Sequence, residues 1–169
     1  MMNKIIQHEI NIIQYLQSNI SYSYIKPLIS FNKYSTSKKC ILSFTGLFIL
    51  FDIKLFTKLS IGLFLSRTSN HYIKYYFKAD RPYNKYPNKI KFYKKKKKLS
   101  YSFPSQSIQN ITIIYYICNP ANYIFIYYYW YLIIMIGLTR MFRGLHYLHD
   151  IIFSYFLCYY LAVGINIIL

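Results

Sequence analysis

The sequence predicts an all-α fold, a polytopic helical bundle in a membrane, and three observations lead there. Of the 169 residues 55% are hydrophobic and 21% aromatic, and the apolar residues run together instead of alternating with polar ones, which favours lipid over water as the solvent. Short breaks rich in proline, asparagine or charge separate the runs. The connections are short and there are no internal repeats, so a single membrane domain over residues 1–169 is the economical reading. The wealth of Ile, Tyr, Asn, Lys and Phe matches an AT-rich coding sequence, so single residues of these types carry little functional weight.

The elements follow in order. Ile5, Ile6, Ile10, Ile12, Ile13, Tyr15, Leu16 and Ile20 recur at helical spacing, making residues 1–30 an amphipathic N-terminal segment that lies in the interface or on the bundle. Lys4, His8 and Glu9 interrupt it, so it lacks the pattern of a cleavable signal. Pro27 is expected to end any regular structure. Cys40 to Phe51 is strongly apolar but short of the about 20 residues that cross a bilayer, unless it begins nearer Tyr34 or the bilayer thins. Asp52 and Lys54 suit a turn, and Leu55 to Phe77 is a second candidate span. Residues 83–103 form a basic loop holding the run Lys94 to Lys98. Ser105 to Cys118, Tyr123 to Leu138 and Asp150 to Leu169 are three further apolar helices, the first two parted by Asn119-Pro120-Ala121-Asn122.

The net charge of +17, from 21 Lys and Arg against 4 Asp and Glu, fits a nucleic acid, an anionic membrane surface or a phosphorylated ligand. Nucleic acid is set aside, because the basic residues flank apolar runs and build no aromatic-interleaved module. The lysine run reads first as a solvated loop and second as a collector of anionic head groups. Cys40, Cys118 and Cys158 have no metal or redox spacing and read as apolar filler.

Three short stretches carry the chemistry: KYYFKADRP from Lys74 to Pro82, FPSQSIQNIT from Phe103 to Thr112, and TRMFRGLHYLHD from Thr139 to Asp150. In that order they resemble the tripartite signature of the type 2 phosphatidic acid phosphatase (PAP2) superfamily, whose patterns are K-x6-RP, PSGH and SR-x5-H-x3-D. Lys74, Arg81 and Pro82 meet the first in full. Arg140, His146 and Asp150 meet the third, with Thr139 for serine. The second departs from the pattern: Gln106 stands for glycine and Ser107 for the histidine. QYLQS, FILFDIKLFTKLSIG and SNHYIKYYFKADRPY further resemble a bacterial branch, whose members usually continue for more helices, so a bundle truncated at its C-terminus is expected.

The resemblance implies a PAP2- and haloperoxidase-like helical bundle in the bacterial inner (cytoplasmic) membrane. It also implies hydrolysis of a lipid phosphate or polyprenyl diphosphate, as in an undecaprenyl diphosphatase, with no cofactor and no metal. By position His146 is the nucleophile, and Asp150, one helical turn on, orients it. Lys74, Arg81, Arg140, the Ser105 hydroxyl and the backbone amides of Ser105, Gln106 and Ser107 bind the phosphoryl group. Lys74 and Arg81 share a helix face if the helix continues that far. A lone lysine or arginine at a membrane helix end more often snorkels than binds a ligand, but the joint occurrence in order outweighs this. Arg143, His71 and His149 fall outside the motifs and read as surface or interfacial. The missing histidine is the general acid, a contribution of typically 10²- to 10⁴-fold. Loss harms a monoester such as phosphatidate more than a diphosphate, whose leaving group is already a stable anion. The alternative is a catalytically inactive relative that binds lipid phosphate, or a decaying gene product. The partners implied are the bilayer and a membrane lipid phosphate. The resemblance places the site on the external face, whereas the positive-inside rule would place its basic flank in the cytoplasm.

Overall fold

The computed structural model describes residues 2–35, 37–93, 101–118 and 123–169. The described residues form helices only: α1 (Met2–Asn19), α2 (Tyr22–Ser35), α3 (Lys38–Phe51), α4 (Ile53–Phe77), α5 (Pro82–Lys85), α6 (Gln106–Cys118), α7 (Tyr123–Phe142) and α8 (Leu148–Ile168). The lysine run and the Asn119–Asn122 breaker lie outside the described residues.

α6 is the central element and packs most extensively on α8 and α4. Leu59, Ile113, Ile117, Cys158, Ala162 and Ile165 bury the seam between these three helices. Gly62 lets α4 approach so closely, since a Cβ there would lie 2.5 Å from Cδ1 of Ile117. A second cluster, including Ile10, Ile13, Tyr83, Ile108, Ile136, Leu145 and Ile151, fixes α1 and the loops beside the ends of α7 and α8.

α8 alone, among the described residues, is long and apolar enough to cross a membrane, and only 28% of its apolar window is buried. Its apolar surface therefore faces outward through Ile152, Phe156, Tyr160 and Ile167, as expected of a helix solvated by lipid. α4 is long enough at 25 residues, but Lys54, Lys58, Arg67 and Lys74 interrupt its hydropathy. The bundle interior also holds polar side chains, with Ser66, Asn70, Gln109, Thr112 and Ser154 all buried. Asn70 donates to Gln109 Oε1 at 2.7 Å and to the Pro104 carbonyl at 3.3 Å, which ties α4 to α6 inside the packing.

Three boundaries differ from expectation. Pro27 lies inside α2. The bond it cannot make would end on the carbonyl of Ser23, in an exposed first turn where water can serve, while Ile25, Ile29 and Asn32 bury α2 against α7. α3 does not reach back to Tyr34, because α2 occupies that stretch. α7 continues past Leu138 to Phe142, carrying Thr139 and Arg140 into its last turn, where Asn32 Nδ2 donates to Thr139 Oγ1 at 2.5 Å. Asp52 behaves as a turn residue should: its carboxylate caps α4 by accepting from the Leu55 amide at 3.0 Å.

Candidate active site

α4 delivers Lys74 in its last turn and stops at Phe77, where Lys78 takes a left-handed conformation (φ 46°) and donates its amide to the Lys74 carbonyl. Arg81 therefore does not share a helix face with Lys74. It sits in extended backbone before α5, with Pro82 at the first helical position where a missing N–H costs nothing. The two cations converge all the same. Lys74 Nζ donates to the Tyr101 carbonyl at 3.0 Å and Arg81 Nη2 to the same oxygen at 3.1 Å. Lys74 also donates to the carbonyls of Ser102 and Pro104, at 3.2 and 2.8 Å.

The first and third motifs meet backbone to backbone. Arg81 Nη1 donates to the Leu145 carbonyl at 2.9 Å, and the Tyr83 amide donates to the Gly144 carbonyl at 3.2 Å. Gly144 permits this, because its φ is +63° and a Cβ would lie 2.7 Å from Ile90 Cγ2. The chain then turns into α8, with Asp150 Oδ2 accepting from the Tyr147 amide at 3.0 Å. His146 Nδ1 faces the same carboxylate oxygen at 3.4 Å, one turn away. Both residues are buried.

Burial drives the His146 imidazole down to about 3, with Asp150 opposing and Arg81 and Arg140 assisting. The ring is thus neutral at physiological pH, as a nucleophilic nitrogen must be. Burial also pulls Arg81 below its ordinary value, against the fields of Tyr83 and Asp150. An incoming phosphoryl group would compensate these crowded cations.

The second motif enters at the start of α6. Ser105 is fully buried just before the helix, and its amide donates to Ser154 Oγ at 2.6 Å, so this N–H is engaged within the bundle. Ser154 in turn donates to the Asp150 carbonyl. Ser107 Oγ accepts from Arg140 Nη2 at 2.5 Å, which joins the second and third motifs. The Gln106 side chain turns along α6 instead, donating to Asn110 Oδ1 at 2.9 Å and lying 3.5 Å from Ser66 of α4.

Lys74, Arg81, Arg140, Ser105, Ser107, His146 and Asp150 thus gather at one end of the bundle, and the Gln106 side chain does not join them. His71 is exposed and His149 half-exposed. Arg143, expected at the surface or interface, is buried (6% exposed) at the start of the loop from α7 to α8. Sequence reasoning missed Glu9, Gln109, Ser154 and the Tyr101 carbonyl, since backbone acceptors and inter-helix partners leave no local pattern.

No curated protein matches the chain. Two solved structures share its fold. One is the first transmembrane PAP2 type phosphatidylglycerolphosphate phosphatase from Bacillus subtilis, with TM-score 0.77 and 15% identity over 97% of this chain and 85% of that one. The other is Aquifex aeolicus LpxE, with TM-score 0.74 and 14% identity over 92% and 93%. The PAP2 superfamily model matches residues 55–169, and so takes in all three motifs. The chain belongs to the PAP2 superfamily.

Proposed function

We propose that this protein is a membrane-embedded lipid phosphatase that works through a phosphohistidine and is weakened at the leaving-group step. The observation that carries the reading is His146, buried and neutral, backed by Asp150 at 3.4 Å and flanked by Arg81 and Arg140. Asp150 holds the Nδ1 proton, so the Nε2 lone pair is free to attack phosphorus. The P–O bond to the lipid breaks, the leaving oxygen departs with the electron pair, and water then cleaves the P–N bond to release phosphate. Lys74, Arg81 and Arg140 stabilise the charge on the equatorial oxygens. The family resemblance of both neighbours, one a phosphatidylglycerolphosphate phosphatase, supports a lipid substrate.

Ser107 decides the choice among lipids. A serine hydroxyl is too weak an acid to protonate an alkoxide, so the substrate whose leaving group needs no proton is favoured. That substrate is a polyprenyl diphosphate rather than phosphatidate. A second reading, a non-catalytic binder of lipid phosphate, is favoured by the Arg140–Ser107 bond, which closes the second motif onto a cation without an acid.

Phosphate release by the purified protein in detergent, from an isoprenyl diphosphate and from phosphatidate, separates the readings. Release from the diphosphate that disappears in His146→Ala is the expected result. Faster turnover of phosphatidate would overturn the diphosphate preference. No release from either lipid would leave the binder.

A further inference from the structure

The chain has only four acidic residues, Glu9, Asp52, Asp80 and Asp150, and two of them are buried against one imidazole. Glu9 of α1 is 4% exposed and Asp150 fully buried. Glu9 Oε1 accepts from the His149 amide at 2.9 Å and Oε2 lies 2.8 Å from His149 Nδ1. On the far side of the ring, His149 Nε2 lies 3.3 Å from Asp150 Oδ1. Tyr147 stacks on the ring with centroids 5.2 Å apart and planes at 10°, and Phe103 lies across it at 6.2 Å. Both ring nitrogens face carboxylate oxygens, so both must carry protons for both contacts to attract.

We infer that His149, anchored by Glu9, is a positioning residue that fixes the orientation of the Asp150 carboxylate and through it the tautomer of His146. This rests on the phosphatase reading for its catalytic consequence, but not for its structural one. Asp150 has two oxygens and two tasks. Oδ2 receives the Tyr147 amide and faces His146. Oδ1 is buried without a hydrogen-bond partner among the described residues, and His149 Nε2 approaches it as an ion-pair contact at 3.3 Å. Without the imidazolium, that oxygen would lose the positive charge beside it in a dry site, and the carboxylate would rotate or take up a proton. Either change removes the acceptor that keeps the His146 proton on Nδ1. The charged and titratable groups facing His149 are Glu9 from α1, Asp150 from its own helix and the Tyr147 ring from the loop. His146 and Arg81 lie beyond Asp150. The N-terminal helix, which carries no motif residue, thereby acts on the dyad.

The test uses the full chain in detergent, as the parent and in a Ser107→His background. His149→Ala is expected to lower kcat on the order of tenfold with KM within about twofold, since the residue touches the dyad and not the substrate. His149→Gln, whose amide dipole can face Asp150 but does not titrate, should recover most of kcat and flatten the alkaline limb of the pH profile. Nitrogen NMR of ¹⁵N-histidine-labelled protein reads the tautomer of His146 without any turnover. The parent should hold the proton on Nδ1, and His149→Ala and Glu9→Gln should both give a tautomer mixture. An unchanged tautomer in both variants would overturn the inference, as would a kcat loss in His149→Ala that glutamine fails to rescue. Absence of turnover in both backgrounds would sink the phosphatase reading alone, leaving the tautomer to decide this one.

Discussion

The corner from Arg140 to Asp150 and the segment from Pro104 to Ser107 carry the positions of the family's two histidines, and they are built to different standards. The first is tied to nearly every part of the chain. Gln17 of α1 donates to the Phe142 carbonyl at 2.6 Å, Tyr83 to Gly144, Arg81 to Leu145, and Glu9 receives His149. The second is held mainly by backbone, through Ser105 to Ser154 and the Lys74 contact with Pro104. Ser107 joins it to Arg140 of the third motif, with a hydroxyl at the position where the family resemblance expects an acid. The difference teaches that scaffold and chemistry are separable here. On the proposed reading, the His146 half is tied down on many sides, and the side chain at position 107 sets how well the other half can serve it.

Restoring that side chain sharpens the comparison most. Ser107→His is expected to raise phosphate release from phosphatidate by about 10²- to 10⁴-fold, with a smaller gain on an isoprenyl diphosphate, measured as initial rates side by side. An equal gain on both lipids would mean that the leaving group does not limit the parent. The next experiment attacks the well-tied corner. Gly144→Ala forces a Cβ into left-handed backbone against Ile90 and should cost about 2 kcal/mol, read as a lower midpoint of thermal unfolding, whereas Gly46→Ala, with nothing within 4 Å, should not. The smallest effect concerns protons. Unfolded, the His146 ring takes a proton near 6.5, but folded only near 3. Between those values the unfolded chain binds more protons, so stability present above pH 6.5 is lost as pH falls, at most ~1.4 kcal/mol per pH unit. The unfolding midpoint at pH 5.0 should drop less, relative to pH 7.5, in His146→Gln than in the parent.

Much of this was legible before any coordinates. The helices and the turn at Asp52 follow from apolar runs and their breaks, which are local properties, and the motif residues from the family resemblance. The misjudged points are those where distant partners decide. Pro27 stays helical because Ile25, Ile29 and Asn32 bury their face on α7. Arg81 meets Lys74 because both seek the Tyr101 carbonyl, not because a helix continues. Arg143 is buried within a loop whose path only the packed bundle defines. Glu9 lies outside every motif, and no sequence pattern announces a bond that spans 140 positions.

Lys74 has one more consequence, which concerns turnover. An ammonium has three hydrogens, and three carbonyls stand at 3.0, 3.2 and 2.8 Å to receive them. The cation resembles a solvated ion with a resident inner sphere, so in the proposed reaction a phosphoryl group would enter by ligand exchange and not by filling a vacancy. Its net gain is only the difference between two good sets of contacts. In the proposed reaction, the same carbonyls would compete for the ammonium once phosphate is cut free and help to expel it, which would protect the site from being silted up by its own product.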